Sequence, residues 1–170
     1  MKKLLRIMVL TFAASALLFL GASVASAAEI VDQGNCGKNA TWQLDTDGVL
    51  TISGTGDMTD WNSSNPPWLN EAQSITQVVI NSGITHIGMS SFYKCINLES
   101  ITIPDSVTSI RSNAFSNCDS LKKVYINDLE SYLCIKRSNE AASPTYAGAA
   151  LYEKGNLVKE PISSDCGAWS

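Results

Sequence analysis

The chain has 170 residues, 12 of them Lys or Arg and 16 Asp or Glu, for a net charge of −4 at neutral pH. That acidic balance argues against nucleic acid as a partner and against electrostatic docking on anionic lipid. The length fits one compact domain or two small ones.

The first residues read as an export signal. Lys2, Lys3 and Arg6 make a positive start, Ile7 to Leu20 is an almost unbroken apolar run, and Ala25-Ser26-Ala27 offers the small residues a signal peptidase reads. The run is short for a membrane span of about 20 apolar residues, so cleavage before Ala28 is expected rather than retention as an anchor. Loss of residues 1–27 removes three positive charges and no negative ones, leaving 143 residues (170 − 27) and a net charge of −7 (9 − 16).

Residues 28–74 have no long period. Thr41-Trp42-Gln43-Leu44 and Val49-Leu50-Thr51-Ile52-Ser53 alternate as strands do, and Asp45-Thr46-Asp47-Gly48 between them is a hairpin signal. Gly54, Gly56, Pro66 and Pro67 are expected to break regular structure and lead into a loop. Trp42, Trp61 and Trp68 are expected to pack over the start of residues 75–126. A carbohydrate-stacking platform is the functional alternative, but clustered Trp in a small unit more often forms core.

Residues 75–126 repeat with a period of 23. Ile75, Val78, Ile80, Ile84, Ile87, Phe92 and Cys95 are followed in register by Leu98, Ile101, Ile103, Val107, Ile110, Phe115 and Cys118, and a third pass begins with Leu121, Val124 and Ile126. Fixed self-similarity at this period marks a solenoid in which each coil buries its apolar edge against the next. Val78-Val79-Ile80, Ile101-Thr102-Ile103 and Val124-Tyr125-Ile126 alternate and are rich in β-branched residues, so each coil contains a short strand. The stretches through Ile84 and Ile87, and through Val107 and Ile110, are expected to turn the chain back. Phe92 and Phe115 then fill the interior, with Ser91 and Ala114 small beside them for tight stacking.

Residues 127–170 drop the period. Asp128 is placed to cap a short helix through Leu129, Tyr132 and Leu133. Leu151-Tyr152 and Leu157-Val158 flank Glu153-Lys154-Gly155-Asn156 as a hairpin, and residues 163–170 read as a frayed end. The fold class is therefore mainly β: a short solenoid of 23-residue repeats with an N-terminal β-hairpin cap (28–74) and a C-terminal helix-hairpin cap (127–170).

Five cysteines, Cys36, Cys95, Cys118, Cys134 and Cys166, make an odd count for an exported chain. Cys95 and Cys118 share a column, and their side chains are expected to point the same way into the core as buried thiols. The pairing of Cys36, Cys134 and Cys166 stays open. No cysteine spacing fits a zinc site, and no cofactor or metal is implied. The single histidine, His86, aligns with Ser109 in the next coil, so an exposed, tolerant position without catalytic duty is expected. Asp45, Asp47, Asp57 and Asp60 cluster, but without the spacing of a twelve-residue calcium loop, and read as turn formers. No catalysis is expected, because the polar side chains do not converge.

The motif Leu98-x-x-Ile101-x-Ile103-Pro104-Asp105-Ser106-Val107-Thr108-x-Ile110, then Ala114-Phe115-x-x-Cys118, resembles the BspA-like (Treponema-type) leucine-rich repeat of bacterial surface proteins. Cys36-Gly37, Ala40-Thr41-Trp42, Gly48-x-Leu50-Thr51-Ile52-Ser53-Gly54-x-Gly56 and Pro67-Trp68 look like the openings of the same family, and the resemblance runs from about residue 34 to 162. It implies an exported protein, and adhesin-like contact with an extracellular protein or glycan. One departure is that Lys159-Glu160-Pro161-Ile162 leads into no further Ile-Pro-Asp unit. A truncated fragment of a longer adhesin is therefore the alternative description, and no stable membrane span is expected after signal cleavage.

With apolar residues inward on each strand, the alternates face out. These outward columns, Gln77-Ser100-Lys123 and Val79-Thr102-Tyr125, are the candidate binding face. Solenoids use repeated strand faces in this way, and Tyr125 is the favoured anchor because aromatic residues concentrate binding energy.

Overall fold

The computed structural model describes residues 28–62, 65–146 and 148–159. The expected export signal, the frayed end and Cys166 lie outside these residues.

The chain opens as three antiparallel strands. β1 (Ile30–Asn35) pairs with β2 (Gly37–Asp45), and β2 pairs with β3 (Val49–Met58). The β2–β3 turn forms as its sequence predicts. Asp45 Oδ1 accepts hydrogen bonds from the backbone N–H groups of Asp47 and Val49 at 3.0 and 2.9 Å, and Gly48 takes φ +79°. β1 was not expected, because Ile30-Val31-Asp32-Gln33-Gly34-Asn35 carries only a brief apolar signal.

Gly54 and Gly56 do not end the strand. β3 runs through both of them to Met58. They take φ +106° and +81°, values that glycine adopts without side-chain strain, so the strand bends while its pairing continues. The bend makes β3 a branch point. Its first half, Val49 to Ile52, lies parallel to β4 (Gln77–Ile80). Past Gly54, Gly56 and Asp57 lie beside β5 (Ile84–Ile87), opposite Ile84 and His86.

Two parallel ladders grow from that branch. The first runs β3, β4, β6 (Ser100–Ile103), β8 (Lys123–Ile126) and β10 (Ala150–Glu153). Val78 stands opposite Ile101, Ile101 opposite Val124, and Ile103 opposite Ile126, so the 23-residue register is also the register of the sheet. The second ladder runs β3, β5, β7 (Ser109–Ile110) and β9 (Lys136–Arg137). The stretches expected only to turn the chain are thus short strands. Two ladders share each coil because Ile84 and Ile87, like Val107 and Ile110, must also be buried, and pairing satisfies their backbone groups there.

The third side of each coil is a run of turns. Its backbone also links coil to coil: Phe92 N–H donates to Ala114 O at 2.8 Å and Lys94 N–H to Ser116 O at 3.0 Å. Ser90 and Asn113, and likewise Lys94 and Asn117, repeat a left-handed φ near +60° at 23-residue intervals. Ser91 and Ala114 are fully buried, as tight stacking requires. Ser91 Oγ donates to Gly88 O at 2.8 Å, which removes the cost of burying a hydroxyl.

The core is continuous from Cys36 to Leu151. An aromatic column runs through it. Trp68 meets Trp42 and Trp61 edge-on at 5.6 and 6.4 Å, stacks on Phe92 at 6.0 Å, and Phe92 stacks on Phe115 at 5.3 Å. Trp68 is wholly buried and donates Nε1–H to Ser91 O at 2.9 Å. Trp42 and Trp68 are core, and Trp61 is partly buried against them.

After β8, α1 (Leu129–Leu133) forms with Asp128 as its N-cap, whose carboxylate accepts from Ser131 N–H at 2.7 Å. β10 and β11 (Asn156–Leu157) make the anticipated hairpin, with Tyr152 opposite Leu157. β10 also adds a fourth parallel rung after β4, β6 and β8, which the sequence hides because it arrives 27 residues after β8 rather than 23. Among the described residues, no helix is long and apolar enough to cross a membrane.

Candidate functional site

The first ladder turns one row of side chains outward across the whole sheet. Gln33, Gln43, Thr51, Val79, Thr102, Tyr125 and Tyr152 are successive neighbours on β1, β2, β3, β4, β6, β8 and β10. A second row holds Val49, Gln77, Ser100, Lys123 and Ala150 on the parallel strands. All six candidates therefore share one face: Gln77, Ser100 and Lys123 in one row, Val79, Thr102 and Tyr125 in the other.

Exposure varies along the face. Lys123 is exposed, whereas Gln77, Val79, Ser100, Thr102 and Tyr125 are half-buried. Tyr125 is not the lone exposed aromatic that its sequence position suggests. Its ring lies 5.4 Å from that of Tyr152, tilted by 40°. At the other end, Gln43 Nε2 donates to Gln33 Oε1 at 3.0 Å, and Asn81 Nδ2 donates to Ser53 Oγ at 3.0 Å. The two rows contain amide, hydroxyl, aliphatic and phenol groups, one ammonium, and no carboxylate.

Sequence reasoning missed Tyr152, Thr51, Gln43 and Gln33. The first two sit on rungs outside the 23-residue period, and the glutamines are on antiparallel strands. One signal was present for Tyr152: Ala150-Leu151-Tyr152 follows the same alternation as Lys123-Val124-Tyr125.

His86 departs from expectation. It is buried rather than exposed, with only 8% of its surface accessible. Its Nδ1 is 2.7 Å from Ser109 Oγ, and its Nε2 is 3.6 Å from Asp60 Oδ1. Arg111 Nε donates to the same Nε2 at 3.4 Å. The column neighbour Ser109 is thus a partner and not a sign of tolerance. Ser, His and Asp in contact invite comparison with a nucleophilic triad. Here the Asp60 carboxylate and the Arg111 guanidinium both approach Nε2 while Ser109 Oγ meets Nδ1, and the His86–Ser109 contact joins β5 to β7.

The cysteines divide by location. Cys36, Cys95 and Cys118 are buried free thiols. Burial pushes Cys36 and Cys118 up to about 12 and Cys95 higher still. Cys118 Sγ donates to Phe92 O at 3.1 Å. Thiols held protonated are poor nucleophiles, so these three behave as small core side chains. Cys134 is disulfide-bonded. Of the aspartates expected in turns, Asp45 forms one, whereas Asp60 Oδ1 accepts from Met89 N–H and Asp57 Oδ1 from Thr85 Oγ1, both at 2.7 Å, and so join the entry segment to the next coil.

No curated protein matches the chain. Among solved structures, it is similar to a leucine-rich repeat protein from Eubacterium ventriosum, with 34% identity, 58% of this chain and 31% of that chain covered, and a TM-score of 0.49. The chain thus spans about a third of that protein's length. Residues 69–137 match the BspA type leucine rich repeat region in six copies. That stretch carries BspA-type leucine-rich repeats.

Proposed function

We propose that this is an exported, adhesin-like binding protein that contacts an extracellular protein or glycan through the outward rows of its first ladder, without catalysis. The observation that carries the reading is the paired Tyr125 and Tyr152 within a row that crosses seven strands. Six inter-strand steps of about 4.8 Å give a row of about 29 Å, far longer than the three strands of the repeat alone. Tyrosine supplies a large, rigid contact area with a polar tip, the chemistry found at binding hot spots. Two rows without carboxylates also spare a partner from burying an unpaired negative charge. The pattern of residues 1–27 supports export. In this reading residues 28–74 and 127–170 close the two ends of a repeat region at 75–126, and Gln77, Val79, Ser100, Thr102 and Lys123 surround the tyrosine anchor.

The test begins with a binding screen of the signal-free protein against immobilised extracellular matrix proteins and a glycan array. Any partner found is then titrated against Tyr125→Ala, Tyr152→Ala and Lys123→Ala. The tyrosine variants should weaken binding by tenfold or more, in the range of a hot-spot truncation of about 2 kcal/mol, with an unchanged far-ultraviolet spectrum. Unchanged affinity in both tyrosine variants rules this face out.

A further inference from the structure

We infer that the disulfide at Cys134 joins it to Cys166, and that this bridge is a clamp holding the last parallel rung, β10, on the coil. The pairing follows from the cysteines themselves. The chain has five. Cys134 is disulfide-bonded, and Cys36, Cys95 and Cys118 are free thiols. Within one chain, Cys166 is the one that remains.

Burial explains why these two pair and the others do not. Cys36, Cys95 and Cys118 are 1%, 0% and 3% exposed, and burial keeps all three thiols protonated at neutral pH. Disulfide exchange needs a thiolate that can reach another sulfur, so the core cysteines take no part. Cys134 differs from them. It is half-buried at the C-terminal end of α1, where its N–H donates to Glu130 O at 3.1 Å. To form the bridge, the Cys134 and Cys166 thiols give up two electrons and two protons to a small disulfide oxidant, which leaves as two thiols. The export reading supplies the oxidising surroundings this needs.

The bridge matters because of what lies between its ends. It closes a loop of 33 residues (166 − 134 + 1). Inside that loop are β9, the single turn Glu140–Ala142, β10 and β11, with two, three, four and two residues. Elements this short do not hold themselves in place. β10 is fixed by its register on β8 and by two flanking bonds, Ala150 N–H to Lys122 O at 2.8 Å and Lys154 N–H to Ile126 O at 3.0 Å. A rung at the end of a stack has a coil on one side only, and chain ends are the first parts to open. Closing the loop removes conformational freedom from the undocked chain and so favours the docked rung. Tyr152 rides on that rung, so the clamp also fixes its place beside Tyr125.

Cleavage after Lys and Arg puts the five cysteines on five different peptides. Mass spectrometry of the oxidised, signal-free protein, digested without reductant, should find residues 124–136 linked to residues 160–170, and reduction should separate them. Linkage of either peptide to any other, a second copy of itself included, or free thiols on both, would overturn the pairing. Hydrogen exchange tests the clamp, on the Cys134→Ser/Cys166→Ser variant and on the parent protein treated with a phosphine reductant. The amides of Ala150 and Lys154 should lose about tenfold or more in protection. The amide of Glu99, bonded to Thr76 O at 2.8 Å in an inner coil, should keep its own. Unchanged protection at Ala150 and Lys154 would overturn the clamp. Equal loss at Glu99 would overturn it too, because the bridge would then support the whole coil rather than its last rung. No readout involves a ligand, so the bridge and the strand face stand or fall separately.

Discussion

Trp68 stacks on Phe92 at a ring separation of 6.0 Å, and the indole N–H reaches Ser91 O in the same coil. One side chain from the irregular entry segment thus fills the first repeat and satisfies a carbonyl beside it. Trp68→Ala should lower unfolding free energy by about 3–5 kcal/mol, the usual cost of emptying a large aromatic site, plus the loss of a partner for Ser91 O. Urea denaturation followed by circular dichroism reads this as a lower midpoint at similar slope. A shift below about 1 kcal/mol would mean that the aromatic column is not continuous across this join.

The contact between His86 and Ser109 makes a different demand. Its 2.7 Å separation joins β5 to β7 beside Arg111 and Asp60. Ser109→Ala leaves Nδ1 of a buried ring without its partner, at a cost of about 1–3 kcal/mol. Ser109→Thr keeps the hydroxyl on a β-branched side chain suited to a strand and should recover most of it. Thermal unfolding of the two variants separates a bonded pair from a tolerant surface position, which would show no difference between them.

The buried thiols set an alkaline limit. Cys36 is raised from an ordinary 9.0 to about 12 because burial disfavours the thiolate. Below pH 9 the thiol is protonated both folded and unfolded, and the full stability is present. Between 9 and about 12 only the unfolded chain ionises, so unfolding releases a proton and stability falls with pH. Each such thiol contributes a slope of about 1.4 kcal/mol per pH unit in that window. Cys36→Ala should therefore flatten the decline relative to the parent by that amount, as measured by urea denaturation at a series of alkaline pH values. Parallel declines would show that Cys36 is open to solvent. Below pH 8, Cys36, Cys95 and Cys118 should also resist a maleimide until the protein is unfolded.

Much of the coil could be read directly because the period of the apolar residues is also the period of the sheet. Val78, Ile101 and Val124 align in sequence and in register for a single reason: each must cover the same place on the coil before it. The two ends were harder to read. β3 belongs to both ladders, yet Gly54 and Gly56 within it look like breakers, and only the geometry shows that they bend the strand without ending it. β10 pairs with β8 after an irregular interval, so Tyr152 joins Tyr125 with no periodic signal. His86 misled for a related reason. Substitution by Ser in the next coil suggests tolerance, but neighbouring coils touch, and the Ser is its hydrogen-bond partner.

Gly54 tests whether that bend organises the fold. Its φ of +106° is strained for any residue with a side chain, and a Cβ there would run into Asn39 O of β2. Gly56, two residues on, also has a positive φ but open space where a Cβ would go. Gly54→Ala must therefore both rotate the backbone and push β2 away, whereas Gly56→Ala meets only the backbone preference. The first should cost about 3 kcal/mol or more, and the second about 1–2 kcal/mol. In hydrogen exchange, Gly54→Ala should lose protection first in β2 and in the second half of β3, where β5 is paired, while β6 and β8 keep theirs. If the two variants lose equal stability, the steric contact with β2 is not what fixes the branch. If β6 and β8 open together with β2, the entry strands and the repeats fold as a single cooperative unit.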